Sequence, residues 1–249
     1  MAPNTTPMLP DTQQPVAIVA GGGSGIGQGC ALRLGERGYH VILVGRTEAK
    51  LNATADEIAG AGGSASMFPA DVRNWERLVE LQALVERRGV DLLINCAGGQ
   101  FFASSNELSR NGWQAVIDTN LSGSFFLCRQ LFPALRQRRG SAVMVVANLW
   151  QRAVPGLVHS GAARAGVVSM MRTLALEWAG YGIRVNAVSP GLTDTPALRN
   201  YPHTDSVAQT VPLGRIGRVD EVVDAILFMA FAPYITGEVL TIDGGLQLV

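Results

Sequence analysis

Seven short apolar runs punctuate the chain, at Val16–Val19, Val41–Val44, Ser66–Phe68, Leu92–Asn95, Ala142–Ala147, Arg184–Val188 and Val239–Ile242. Most are continuously apolar rather than alternating, the pattern of strands buried on both faces. Between them apolar residues recur at i, i+3 and i+4, as in Leu51–Ile58, Trp75–Val85 and Val167–Leu176, which predicts helices. Asn106–Gln137 and Ser160–Ala179 read as the two long ones. Strands alternating with helices predict an α/β fold. It is a single domain over residues 15–249, built on a doubly wound, parallel, seven-stranded sheet with helices on both faces. Ahead of it, the polar, proline-bearing residues 1–14 read as a disordered tail. The polar segment near 192–213 is long enough to predict a substrate lid.

Composition adds exclusions. With 47% hydrophobic and 16% charged residues in a chain of 249, a sizeable core is available and global disorder is excluded. Twenty basic and twenty acidic side chains cancel, so the basic surface that nucleic-acid binding needs is missing. Cys30, Cys96 and Cys128 are far apart and lack CxxC or Cys/His spacing, so neither a disulfide framework nor a metal site is expected. The longest apolar stretch, Ala225–Ile235, contains Pro233 and falls short of the roughly 20 residues of a membrane span. The first residues also lack the basic region of a signal peptide. The expectation is a soluble, cytoplasmic protein acting on a small molecule, with no membrane or nucleic-acid partner. One count constrains the chemistry: a single lysine, Lys50, stands against nineteen arginines, and there are four tyrosines.

Directly after the first strand comes Gly21-Gly22-Gly23-Ser24-Gly25-Ile26-Gly27, followed by a helical pattern. Glycines there permit a tight turn and close approach, so that backbone N–H groups and a helix N-terminus face a phosphate. Alone, such a string is a flexible turn. A strand before it and a helix after it make it a dinucleotide site of the Rossmann kind. At the end of the second strand an Asp or Glu serves the ribose hydroxyls of NAD, whereas an Arg accommodates the 2′-phosphate of NADP. Here Val44-Gly45-Arg46-Thr47 carries an Arg and no acid, so NADPH is the expected cofactor.

The pattern Gly21-x-x-x-Gly25-x-Gly27 resembles the fingerprint of the short-chain dehydrogenase/reductase family, with Ala20 where Thr is usual. Further marks follow in order. Asp71-Val72 looks like the family's adenine-contacting pair, and Asn95-Cys96-Ala97-Gly98 is similar to its Asn-Asn-Ala-Gly. Asn120 matches the Asn that supports a proton-relay water. Pro190-Gly191 with Thr193 and Thr195 looks like the segment that holds the nicotinamide carboxamide. The resemblance runs from about Pro15 to the carboxyl end.

The family's ketone chemistry rests on a Ser and a Tyr-x-x-x-Lys, in which the Tyr protonates the carbonyl oxygen and the Lys lowers its pKa and holds the nicotinamide ribose. Those slots fall near Ala147 and on Ser160 and Arg164, so all three usual residues are absent. Lys50 lies just after the second strand and cannot substitute. Gly98-Gly99-Gln100-Phe101, Asn111-Gly112-Trp113 and Val158–Gly166 resemble the peroxisomal trans-2-enoyl-CoA reductases, and the neighbouring 2,4-dienoyl-CoA reductases also lack that Tyr. The relative has a Tyr at the slot of Val168 and ends in a peroxisomal targeting tripeptide; this chain ends Gln247-Leu248-Val249.

That resemblance implies reduction of an activated C=C bond, with a trans-2-enoyl thioester foremost. Reducing a ketone leaves a strongly basic alkoxide, whereas hydride addition to an enoyl thioester leaves a delocalised enolate that mainly needs hydrogen-bond donors. Residues 160, 164 and 168 share one helical face. Arg164 is then expected to hold the ribose, Ser160 to donate to the thioester oxygen and Asn120 to fix a water. A plain helix-capping hydroxyl is the alternative for Ser160. Tyr201, on the expected lid, is the candidate α-carbon donor or substrate contact. His159 reads as a packed imidazole, and Trp150 as either pocket wall or core. Two rivals stay open: an NADPH-dependent carbonyl or imine reductase, and a catalytically silent NADPH-binding subunit or sensor. The resemblance also implies a homotetramer, with a dimer as the alternative.

Overall fold

Successive side chains of each central strand enter two different cores, which is why the runs are continuously apolar. In β1 (Val16–Ala20), Val16, Ile18 and Ala20 face one core with Leu78, Leu131 and Met171. Ala17 and Val19 face the other with Leu34, Leu51 and Ile226. The computed structural model describes residues 13–200 and 208–249. After β1 the chain forms α1 (Gly25–Glu36), β2 (His40–Gly45), α2 (Glu48–Gly60), β3 (Ser64–Pro69) and α3 (Trp75–Val85). Then come β4 (Leu92–Asn95), α4 (Arg110–Ile117), α5 (Gly123–Arg138), β5 (Ser141–Val145) and α6 (Val158–Trp178). β6 (Arg184–Pro190), α7 (Val219–Phe231) and β7 (Val239–Ile242) follow.

The seven strands form one parallel sheet in the order β3-β2-β1-β4-β5-β6-β7. Helices α3, α5 and α6 cover one face, and α1, α2 and α7 the other. The expected doubly wound Rossmann arrangement is therefore present. The strand order reverses between β1 and β4, and such a reversal opens a crevice at the carboxyl ends of the strands.

Three local departures matter. The long helix expected over Asn106–Gln137 begins only at Arg110, where the Ser109 hydroxyl accepts from Gly112 N at 3.0 Å. It is then broken by a π-helical turn at Asp118–Ser122, the kind of insertion common at functional sites. Helix α6 starts at Val158, which puts Ser160 inside the helix rather than at its cap. The expected third strand, Ser66–Phe68, is longer because polar residues pin it: His40 of β2 hydrogen-bonds Ser64 Oγ at 2.7 Å and Ser66 Oγ at 2.9 Å through its two ring nitrogens. At the start of the domain, Gln14 O accepts from Arg88 Nη2 at 2.6 Å, and residues 1–12 lie outside the described residues. Among the described residues no helix is long and apolar enough to cross a membrane.

His40 carries a pH signature. It is 1% exposed, and burial, helped by the Arg88 charge, lowers its pKa from 6.5 to about 4. Between those values the unfolded chain binds the extra proton and the folded one does not. Stability is therefore fully present above pH 6.5 and declines as pH falls toward 4. Denaturation midpoints measured across that window should fall more steeply for the native chain than for His40→Asn. Parallel curves would refute this.

Candidate active site

A cleft of about 420 Å³ opens at the carboxyl ends of the central strands. Its floor at one end is the turn Gly21–Gly27, lined by Gly21, Gly23, Ser24, Gly25, Ile26 and Gly27. A Cβ on Gly27 would stand 2.2 Å from the Gly21 carbonyl oxygen, so only glycine lets α1 begin this close to the turn. Arg46, Thr47 and Lys50 border the same end, where β2 passes into α2. Asp71 and Val72 close the other side. Arg73 clamps the Asp71 carboxylate through Nε at 3.0 Å and Nη2 at 2.7 Å. That pairing, with the Arg46 charge adding, holds the Asp71 pKa below the usual range. A glycine cradle at a helix N-terminus with two cations beyond it fits a dinucleotide.

The opposite end is built from the turn after β4, the end of β5 and α6. Arg164 reaches across to donate from Nη1 to Val145 O at 3.0 Å. Gly98 lies between two polar side chains: a Cβ there would be 2.5 Å from Asn120 Oδ1 and 2.7 Å from Arg164 Nη2. The π-turn brings Asn120 to this place. It is fully buried, donates from Nδ2 to Gly99 O at 2.8 Å and Val116 O at 2.9 Å, and accepts from Gly99 N at 3.1 Å. Ser160 is also fully buried, and its hydroxyl donates to Gln100 Oε1 at 2.5 Å. Beside it the His159 ring meets Phe101 edge-on, with centroids 4.7 Å apart. The dipeptides Gln100-Phe101 and His159-Ser160 thus grip each other pairwise, and Gln100 is the partner that borders the cleft. Burial lowers the His159 pKa.

A sequence profile described as enoyl-(acyl carrier protein) reductase matches residues 20–247. A probable 2,4-dienoyl-CoA reductase from Bacillus subtilis is 37% identical over 246 residues, 94% of this chain and 96% of its own. A solved short chain dehydrogenase from Bacillus anthracis superposes with a TM-score of 0.86 at 36% identity, over 95% of this chain and 98% of that one. The chain is a short-chain dehydrogenase/reductase. A solved actinorhodin polyketide ketoreductase with NADPH is similar as well, with a TM-score of 0.89 at 32% identity, covering 96% of this chain and 99% of that one.

Within this short-chain dehydrogenase/reductase, the sites expected from sequence divide into wall and support. The glycine turn, Arg46, Asp71, Val72, Ala97, Gly98, Arg164 and Thr195 line the cleft. Asn95 does not: its Nδ2 donates to Ser124 Oγ at 2.8 Å and its Oδ1 accepts from Ala97 N at 3.1 Å, so it braces the turn from below. Asn120 and Ser160 likewise stand behind the wall. The Ser160 hydroxyl, expected to donate to a substrate, donates to Gln100 Oε1 in this structure.

Pro190, Gly191 and Thr193 also lie outside the lining. Gly191 N donates to Ile242 O at 3.0 Å, and Thr193 Oγ1 donates back to Gly191 O at 3.3 Å. Trp150 is not among the residues lining this cleft. It packs against the core, its Nε1 donates to Ser189 Oγ at 3.2 Å, and Arg172 lies over its ring. Tyr201 and its neighbours at 202–207 lie outside the described residues. Among the lining residues that the sequence leaves without a site role are Lys50 and Gln100. As a stand-in for the family lysine Lys50 is too distant, but its position four residues after Arg46 at the start of α2 places it at the dinucleotide end. Gln100 was part of a matched motif without a role.

Proposed function

We propose that this short-chain dehydrogenase/reductase uses NADPH to reduce an activated C=C bond, with trans-2-enoyl thioesters as its substrate class. The carrying observation is the chemistry at the Arg164 end: a guanidinium tethered to Val145, a carboxamide oriented by Ser160, and no tyrosine among the described residues that line the cleft. A guanidinium stays protonated at neutral pH, and a carboxamide donates hydrogen bonds without releasing a proton. Such a set serves an enolate better than an alkoxide. The Bacillus subtilis relative, named for a CoA-thioester C=C reduction, supports the same reading.

Bound NADPH supplies the hydride. The chain's own residues hold the reacting groups. Arg164 holds the nicotinamide ribose beside Gly98. Gln100, its Oε1 fixed by Ser160, donates from Nε2 to the thioester oxygen as charge builds there. Asn120 locks the Gly99 backbone and so keeps that wall in place. Tyr201 remains the candidate for the α-carbon proton, with water as the other source. Arg46 and Lys50 hold the 2′-phosphate. Exposed apolar side chains on α5, α6 and α7, including Phe125, Leu176 and Phe228, support the homotetramer expected from the family resemblance.

Replacing Arg46 and Lys50 together by Ala should weaken NADPH binding by about a hundredfold or more, since each charge-assisted contact to phosphate is worth about 1.5–3 kcal/mol. NADH binding should change little. Equal losses for both cofactors would contradict the 2′-phosphate role.

The function itself is tested by following NADPH absorbance with a panel of trans-2-enoyl-CoA and 2,4-dienoyl-CoA esters, 3-oxoacyl esters, simple ketones and cyclic imines. Oxidation with the unsaturated thioesters is expected. Turnover confined to ketones or imines would make it a carbonyl or imine reductase, and tight binding without turnover a sensor.

A further inference from the structure

The segment after β4 leaves the cleft carrying two aromatic side chains. Gly98, Gly99 and Gln100 line the cleft, and the next two residues, Phe101 and Phe102, are 40% and 46% exposed. Exposed apolar surface that adjoins a ligand cleft marks a place where something apolar binds. The exposed Phe125, Leu176 and Phe228 lie on α5, α6 and α7, and none of them borders the cleft. Phe101 and Phe102 differ because they continue its wall.

Both rings are held in place. Phe101 sits between two helices. Its ring meets the His159 ring of α6 edge-on, with centroids 4.7 Å apart, and its Cζ is 2.9 Å from where a Cβ on Gly112 of α4 would stand. Glycine at 112 thus lets the ring rest on the helix backbone. Phe102 packs against the loop ahead of α6, its Cδ1 3.2 Å from where a Cβ on Gly156 would stand. Ala103 N donates to Gly156 O at 3.0 Å and ties the two loops together. Val158 and Trp113, the residues next to His159 and Gly112, add further exposed apolar surface. The result is a preformed apolar ledge that begins at Gln100, and little ordering is left for a ligand to impose on it.

We propose that Phe101 and Phe102 form the acyl-chain subsite, and that the enzyme selects enoyl thioesters with medium and long chains over four-carbon ones. This rests on the enoyl-thioester reading, in which Gln100 holds the thioester oxygen. Two arms leave that group. One is the carrier, with amides and phosphates that need polar partners; the other is the acyl chain, which has only methylenes. A ledge of two phenylalanines with Val158 and Trp113 beside them offers no polar side-chain partner except the Trp113 indole, so it fits the acyl arm. A short chain ends before it crosses the rings, whereas a longer one covers them and loses its own hydration.

The test is calorimetric binding of butyryl-CoA and decanoyl-CoA, both saturated products, to protein loaded with NADP+. Decanoyl-CoA should bind roughly fiftyfold more tightly, since each extra methylene covered on one side is worth roughly twofold. Phe102→Ser should cut that ratio of affinities about tenfold, a loss of about 1.4 kcal/mol. Phe101→Ala should cut it too, but it also removes the contact with His159, so its melting temperature is measured beside the native one; Phe102→Ser carries the test if that variant unfolds. Equal affinity of the native chain for the two esters would overturn the proposal. So would variants that weaken both esters alike, the mark of a carrier arm lying on the rings. The enoyl reading is judged apart, by turnover. Length-dependent binding without NADPH oxidation on any enoyl ester would support the ledge and sink the reaction, and turnover with no length dependence would do the reverse.

Discussion

Gly98→Ala should lower kcat/KM by roughly a hundredfold, the scale of misplacing a reacting group by about an ångström. The added methyl would fall 2.5 Å from Asn120 Oδ1 and 2.7 Å from Arg164 Nη2. It cannot be accommodated unless one of them moves. Asn120 is fixed by three backbone contacts at Gly99 and Val116, so the displacement falls on Arg164 and its bond to Val145 O. Stability should drop by about 1–3 kcal/mol, the usual scale of overpacking. The phosphate cradle at Gly21–Gly27 is at the other end of the cleft, so dinucleotide affinity measured by calorimetry should fall only by the share that Arg164 supplies at the ribose, less than turnover falls. Loss of dinucleotide binding in proportion to activity would show that the variant simply deforms the whole cleft.

Gln100→Leu removes the carboxamide from the wall while keeping much of the side-chain bulk. Turnover of the thioester should fall by roughly a hundredfold, with NADPH affinity unchanged. Ser160→Ala keeps the carboxamide but removes the hydroxyl that orients it at 2.5 Å. Its expected loss is smaller, about tenfold, mostly in kcat. The double variant should be no worse than Gln100→Leu alone, because residues that act as one unit are non-additive. Additive losses would mean that Ser160 acts on the substrate by itself.

The strands could be read from the sequence because burial on both faces leaves little room for polar residues in β1, β2, β4 and β5. β3 was the weak one, since Ser64 and Ser66 look outward-facing until His40 is known to sit against them. The break in the long helix is invisible to an i, i+4 pattern: a π-turn adds one residue to the repeat without changing composition. At the site, the glycine turn and Arg46 were legible because their chemistry is local to one strand–helix unit. Motif order points to Asn95, Asn120 and Ser160, but which way each side chain faces depends on partners far away in sequence. Ser160 meets Gln100 sixty residues before it, and no local pattern encodes that meeting. Lys50 is the opposite case, since its place beside Arg46 is local to one strand–helix unit.

In the proposed reaction hydride goes to carbon of a C=C bond. Protein incubated with a trans-2-enoyl-CoA ester and NADPH deuterated on the transferring face of the nicotinamide gives the direct test, with the product examined by NMR. One deuterium on the β-carbon of the saturated thioester is predicted. An untouched enoyl ester, with deuterium appearing instead on the carbinol or amine carbon of a ketone or imine in the same mixture, would contradict it.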